Sequence, residues 1–369
     1  MKSLNLPYSP RLDQLRWLAA TLVFLYHFYL QYRVLGGMPV ASPWAGIVTQ
    51  GHTGVGLFFT LSGFLFMQIA LYQERIDYAD FMRNRCLRIL PLFLTIFVLA
   101  TSIGRDKFAP QDLFYLFATN LGLAPTSYTP VTGAAWSISV EFTFYLVFPF
   151  LARFTLERGA RYLLQLLALM VFFKVAAFTA NEKSTLMYFS TLVGRFDQFL
   201  IGMLAALLHR RHAPALRAHA VWLVPASLLL AAAACALQTG VATFEPATHS
   251  RFWIVWSTLE AAVWSAVIVA WVSCARQLPA WLEKTLVQGG KISFSFYLLH
   301  MAVLQVLAQA IGLPELTGHR ALDVAIGLLV AYGVTWGVAT LSYVAIEEPF
   351  LRLRRSYGAH RAERERQAA

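Results

Sequence analysis

The feature that leaves this chain least freedom is a succession of apolar stretches, each about as long as a bilayer's hydrocarbon core is thick. Ten can be drawn, at residues 12–31, 52–73, 88–104, 134–152, 162–180, 190–209, 219–238, 252–274, 292–311 and 321–346. Each lies near the roughly 17 to 25 residues that a spanning helix needs. Inside lipid no water serves the backbone, so each stretch has to satisfy its own amides as a helix, which predicts an all-α polytopic membrane protein with about ten spans. Composition agrees, with 58% hydrophobic and 13% charged residues against the roughly 25% charged of soluble domains. That excludes an ordinary soluble enzyme and a disordered chain.

The net charge of +11 would suggest nucleic acid if the basic residues shared a soluble face, but they fall between the apolar stretches. Counted over alternate connections, one side holds about 22 Lys and Arg and the other about 7, which predicts both termini in the cytoplasm. Residues 105–134 form the longest connection, and Asp112–Asn120 within it could be a re-entrant helix. Cys86, Cys235 and Cys274 show neither metal spacing nor a disulfide framework, so they read as packing residues and no metal site is expected. A cleavable leader is disfavoured because the first stretch keeps Arg16 at its mouth and His27 in its middle. No 20- to 50-residue period repeats. The stretch 351–369 reads as a basic cytoplasmic tail against anionic headgroups, apart from a transmembrane domain over 1–350.

Ionisable groups inside the stretches carry the chemistry. Glu141, Lys174, Asp197 and Glu260 would together cost roughly 10 to 14 kcal/mol facing lipid, so they face protein or water. Arg16 and His27, eleven residues apart, lie on one helix face about 16 Å apart in depth. A guanidinium at the mouth suits phosphate, and an imidazole at mid-depth suits proton transfer. From Lys291, His300 lies about 13 Å in, near the depth of His27, with Tyr297 on the same segment. Ser137, Glu141 and Tyr145 share a face beside the interfacial Trp136, and Arg195 and Asp197 add a further polar pair. Arg85 and Arg88 share a helix face and would form a two-guanidinium clamp at the inner surface. With Arg16 they suit a polyanion with several phosphates, of which coenzyme A is one. Gly51–Gly63 lacks the ending of a phosphate-binding loop, so its small residues more plainly allow close helix approach.

Seven motifs in this order resemble acyltransferase family 3, the bacterial integral-membrane enzymes that O-acylate surface polysaccharides, lipopolysaccharide and some antibiotics. They are Leu12-Asp-Gln-Leu-Arg-Trp-Leu-Ala19 with Tyr26-His27-Phe28, Gly54-Val-Gly-Leu-Phe-Phe-Thr-Leu-Ser-Gly63, Arg85-Cys-Leu-Arg-Ile-Leu-Pro91, Trp136-Ser-Ile-Ser-Val-Glu141, Gly194-Arg-Phe-Asp-Gln-Phe199, Ile292-Ser-Phe-Ser-Phe-Tyr-Leu-Leu-His300 and Ile346-Glu-Glu-Pro-Phe350. The resemblance implies a multi-pass protein of the bacterial inner membrane. Its donor would be acyl-CoA, often acetyl-CoA, from the cytoplasm, and its acceptor a glycan or glycolipid. No permanently bound cofactor and no nucleic acid are implied.

The resemblance points to Arg16 and His27 as the essential pair and to Arg85 and Arg88 as inner-surface arginines. His27 would be a general base or an acyl relay, Glu141 would orient it, and His300 would stabilise the oxyanion. Trp136, Ser137, Tyr145, Arg195, Asp197 and Tyr297 would line the acceptor side. Two positions depart from the family: Gly56 stands where Asp is usual and Glu348 where Lys is common. A proton-coupled transporter would use the same buried charges, and a non-catalytic component of a glycan pathway would leave His27 replaceable.

Overall fold

Pro10 opens the first helix at a position where its missing N–H is no loss, and apolar helices then succeed one another to the end of the chain. The structure, a computed structural model, describes residues 5–40, 42–103, 135–180, 184–241, 249–312 and 316–357. The expected connection over 105–134 and the tail beyond 357 lie outside the described residues. The long helices are α1 Pro10–Val34, α2 Thr53–Gln73, α3 Tyr78–Ile103, α4 Ala135–Arg158, α5 Ala160–Ala180, α6 Leu192–Val241, α7 Phe252–Ser273, α8 Ala280–Ala310 and α9 Arg320–Ser342. No strand occurs among the described residues.

Eight helices among the described residues are long and apolar enough to cross a membrane. Two of the ten stretches are not separate members of these eight. The stretches at 190–209 and 219–238 both fall within α6, whose 50 residues would extend roughly 75 Å if straight, more than twice the hydrocarbon thickness, and which is two helices joined at a kink. His212 breaks it with φ −114° and ψ 18°, amid the polar run Arg210-Arg-His-Ala-Pro-Ala-Leu-Arg217. The other case is α1, which is of spanning length but is the most polar of the long helices, because it carries the groups that face the site.

The helices hold together by close contact of small residues and by aromatic packing, since apolar side chains gain little by leaving lipid for protein. A Cβ on Gly290 would collide with the backbone of Asp13, and one on Gly202 with the carbonyl of Thr60. Glycine there lets α8 approach α1, and α6 approach α2. The interior is filled by Phe59, Phe66, Phe81, Phe144, Phe148 and Phe199, with the Phe144 and Phe199 rings stacked at 4.0 Å. Large apolar side chains are also exposed on the outer faces, among them Phe172 on α5 and Leu229 on α6, as expected where the surroundings are lipid.

Residues 351–357 do not lie apart from the bundle. After α9 a π-helical turn over Tyr343–Glu347 re-aims the backbone and leads to Tyr357, which is 1% exposed. Tyr357 N–H donates to Asn5 Oδ1 at 2.7 Å, and Asn84 holds the backbone of Arg355 through both its amide nitrogen and its oxygen. The packed part of the protein therefore extends past residue 350.

Candidate active site

Three arginines converge because α1 and α3 present them to the same gap. Arg16, Arg85 and Arg88 line one cavity of about 230 Å³, and Arg354 joins them from the chain end. Arg16 is paired with Asp13 at 2.6 Å, and Arg88 with the buried Glu347 at 3.1 Å. Arg85 donates to Tyr357 Oη at 2.8 Å and lies 4.9 Å over the Phe66 ring. Its Nε is buried without a hydrogen-bond partner among the described residues. The guanidinium of Arg354 is pushed down to about 10, first by burial and then by the nearby Arg88 and Arg85 charges. Positive charge thus outweighs its local partners, and an anion entering here would relieve that.

Deeper in, Ser62 Oγ donates to Glu141 Oε1 at 2.7 Å, and Tyr145, one turn along α4, lies on the same wall. The cavity ends at Ser137 and Tyr297, whose hydroxyls are hydrogen-bonded at 2.7 Å. The Phe58 ring stands 5.8 Å from that of Tyr297. Glu141 and Tyr145 therefore belong with the arginines rather than beside the imidazoles.

His27 and His300 lie beyond this partition and are not on the cavity wall. They meet directly, with His300 Nε2 at 3.1 Å from His27 Nδ1. His300 Nδ1 is 2.6 Å from the Tyr297 carbonyl, and His27 Nδ1 is 2.9 Å from the Val23 carbonyl. A carbonyl can only accept, so each Nδ1 carries a proton. Neutral His300 then has a bare Nε2, which accepts from the His27 Nδ1–H shared with Val23. It follows that His27 Nε2 carries a lone pair and no proton. His300 is 1% exposed, whereas His27 is only partly buried. The pair therefore presents His27 Nε2 as a base whose tautomer is fixed from behind by His300 and Val23.

Arg195 and Asp197, expected on the acceptor side, are not brought to either place. Arg195 pairs with Glu260 at 3.1 Å and Lys174 with Asp197 at 2.6 Å. Gln198 donates to Glu260 Oε2 at 2.6 Å. This closed network between α5, α6 and α7 also accounts for Gly56: a Cβ there would stand 2.6 Å from Glu260 Oε2. A carboxylate from α7 fills the space that an Asp at 56 would claim. Trp136 packs on Phe189 at 5.4 Å and near Phe59, off the cavity wall.

Sequence reasoning does not find Asp13, Ser62, Glu347, Arg354 or Tyr357. For Glu347 a signal exists, since an acid at the end of an apolar run needs a partner and Arg88 is one. Nothing in the sequence marks Tyr357.

A model of the acyltransferase domain family matches residues 9–344. Acyltransferase MdmB of Streptomyces mycarofaciens is 26% identical over 91% of this chain and 86% of its own length. Nodulation protein 10 of Rhizobium leguminosarum bv. viciae is 27% identical over 95% of each. O-acetyltransferase OatA of Staphylococcus aureus is 26% identical over 42% of this chain and 27% of its own length. No solved structure matches the chain significantly.

Proposed function

The chain belongs to acyltransferase family 3, and from that premise we propose that it transfers an acyl group, most simply acetyl, from acyl-CoA to a hydroxyl of a cell-surface glycan or glycolipid. In this reading it sits in a bacterial inner membrane with both termini, and hence the arginine-lined mouth, on the cytoplasmic side, where the excess of Lys and Arg belongs.

The observation that carries the proposal is a polyanion site followed in depth by a tautomer-locked base, with Arg16 and His27 on the same helix. Arg16, Arg85 and Arg88 hold the donor's phosphates, for which planar guanidiniums suit the geometry. The pantetheine arm runs past Glu141 and crosses the partition when Tyr297 leaves Ser137, which breaks the hydrogen bond between them. The thioester carbonyl then lies beside His27. Its bare Nε2 takes the proton from the acceptor hydroxyl as that oxygen attacks the carbonyl carbon. The new C–O bond forms, the C–S bond breaks, and the thiolate leaves with the electron pair and recovers the proton from Nε2. His300 and Val23 keep the ring from turning over during the transfer.

The test compares the surface glycans and lipids of a deletion strain, its parent, and the deletion complemented with wild type or His27→Ala, by mass spectrometry. An acyl increment lost in the deletion and restored by wild type alone supports the reading. An increment restored equally by His27→Ala removes the mechanism, and a profile identical in all four strains removes the acceptor class.

A further inference from the structure

A second cavity, of about 200 Å³, lies between the ends of α1 and α8 and the start of α9. Its wall is apolar, including Phe28, Leu304, Leu307, Ala308, Val330 and Ala331. Phe28 is the residue next to His27, and Leu304 lies one turn past His300. On α1 the basic cavity is touched by Leu12 and Arg16, then comes His27, then the apolar cavity from Phe28 to Leu35. On α8 the order repeats: Gly290 to Tyr297 on the basic cavity, then His300, then Leu304 to Gly312 on the apolar one.

We propose that this cavity receives the acyl chain of the donor, so that the enzyme accepts acyl-CoA with chains longer than acetyl. The inference rests on the acyltransferase reading and deepens it by naming the donor class. Phosphates, reacting carbon and aliphatic tail follow one another in acyl-CoA, and anion site, base and apolar cavity follow one another in the same sense on both helices. From Leu304 to Ile311, the residue that caps α8, the backbone rises roughly 10 Å, room for a chain of medium length. Each methylene that leaves water there improves binding about fourfold, provided the cavity is deep enough to hold it.

The experiment measures transfer from acetyl-, butyryl-, hexanoyl- and octanoyl-CoA in membranes carrying wild type, Ala308→Phe or Leu307→Ala. These residues touch neither the arginines nor the imidazoles, so acetyl transfer should persist in both variants and reports that each has folded. Wild type is expected to transfer butyryl and hexanoyl groups. Ala308→Phe should lower the hexanoyl-to-acetyl ratio roughly tenfold, and Leu307→Ala should raise the octanoyl-to-acetyl ratio. Acetyl transfer with no longer chain accepted by wild type overturns the inference. So does one chain-length profile common to all three proteins, the result expected if a bilayer lipid fills the cavity. No transfer from any donor by any of the three, in membranes containing the native acceptor, overturns the functional reading and this inference with it.

Discussion

Two groups of charged side chains lie inside this apolar bundle, and only one of them encloses space. The cluster of Arg195, Glu260, Lys174, Asp197 and Gln198 is closed, with Lys174 and Asp197 both fully buried and none of the five on either cavity wall. The cluster of Arg16, Arg85, Arg88 and Glu141 surrounds a cavity. The residue types are nearly the same. What differs is the open volume: buried polar atoms without a partner among the described residues occur in both, Arg195 Nη2 and Glu260 Oε1 in the first and Arg85 Nε in the second, but only the second faces a cavity. Burial of charge thus marks a polar interior, and an unmet donor beside open volume marks a binding site.

Substitutions can break this contrast, and the largest effect is expected in the closed cluster. Lys174→Met leaves the Asp197 carboxylate with the Ser257 and Thr258 hydroxyls but without the ammonium it pairs with, which should destabilise the fold by about 3–5 kcal/mol and be read as loss of detergent-stable protein. Lys174→Met with Asp197→Leu should recover most of that, because replacing both partners of a buried pair is often neutral. A double variant as unstable as the single one would mean that the pair does more than cancel its own charge. In the open cluster, Arg85→Lys should cost much less thermal stability than Lys174→Met, since it forfeits only the bond to Tyr357 and the stacking on Phe66, while raising the donor KM roughly tenfold because an ammonium cannot reproduce the planar fork. Equal losses of stability in Arg85→Lys and in the closed cluster would erase the distinction.

Smaller effects are expected at the imidazole pair and the partition. His300→Leu removes one acceptor of the His27 Nδ1–H but leaves Val23, so kcat should fall about fivefold with donor KM unchanged. His300→Gln, whose amide oxygen can accept that proton, should recover most of the rate, which a purely structural role would not give. Ser137→Ala should change kcat about twofold or less, because the bond it removes from Tyr297 is between two neutral hydroxyls. A tenfold gain there would mean that crossing the partition limits turnover.

Depth was legible in the sequence, and direction around the helix axis was not. Residue counts along the segments put His27 and His300 at one level, and they are in contact at 3.1 Å. Counting also put Arg195 and Asp197 among the polar groups of the interior, but it could not tell that they turn toward Lys174 and Glu260 instead of toward the imidazoles. Nor could it tell that Tyr297 and Ser137 stand between the arginines and the histidines, since that depends on two helices' rotations at once. The helix count was legible too: Arg210 to Arg217 read as a break, and two helices meet there at the His212 kink within α6. Tyr357 was out of reach because its position depends on where a connection folds back, which no periodicity encodes.

The central claim is that His27 Nε2 activates a hydroxyl against a thioester held from the arginine-lined side. Transfer of label from radiolabelled acetyl-CoA into the native acceptor fraction, in membranes carrying wild type or His27→Ala at matched abundance, tests it most directly. The account predicts labelling by wild type and a loss of about 10²- to 10⁴-fold in the variant. Labelling by His27→Ala at the wild-type rate would contradict it.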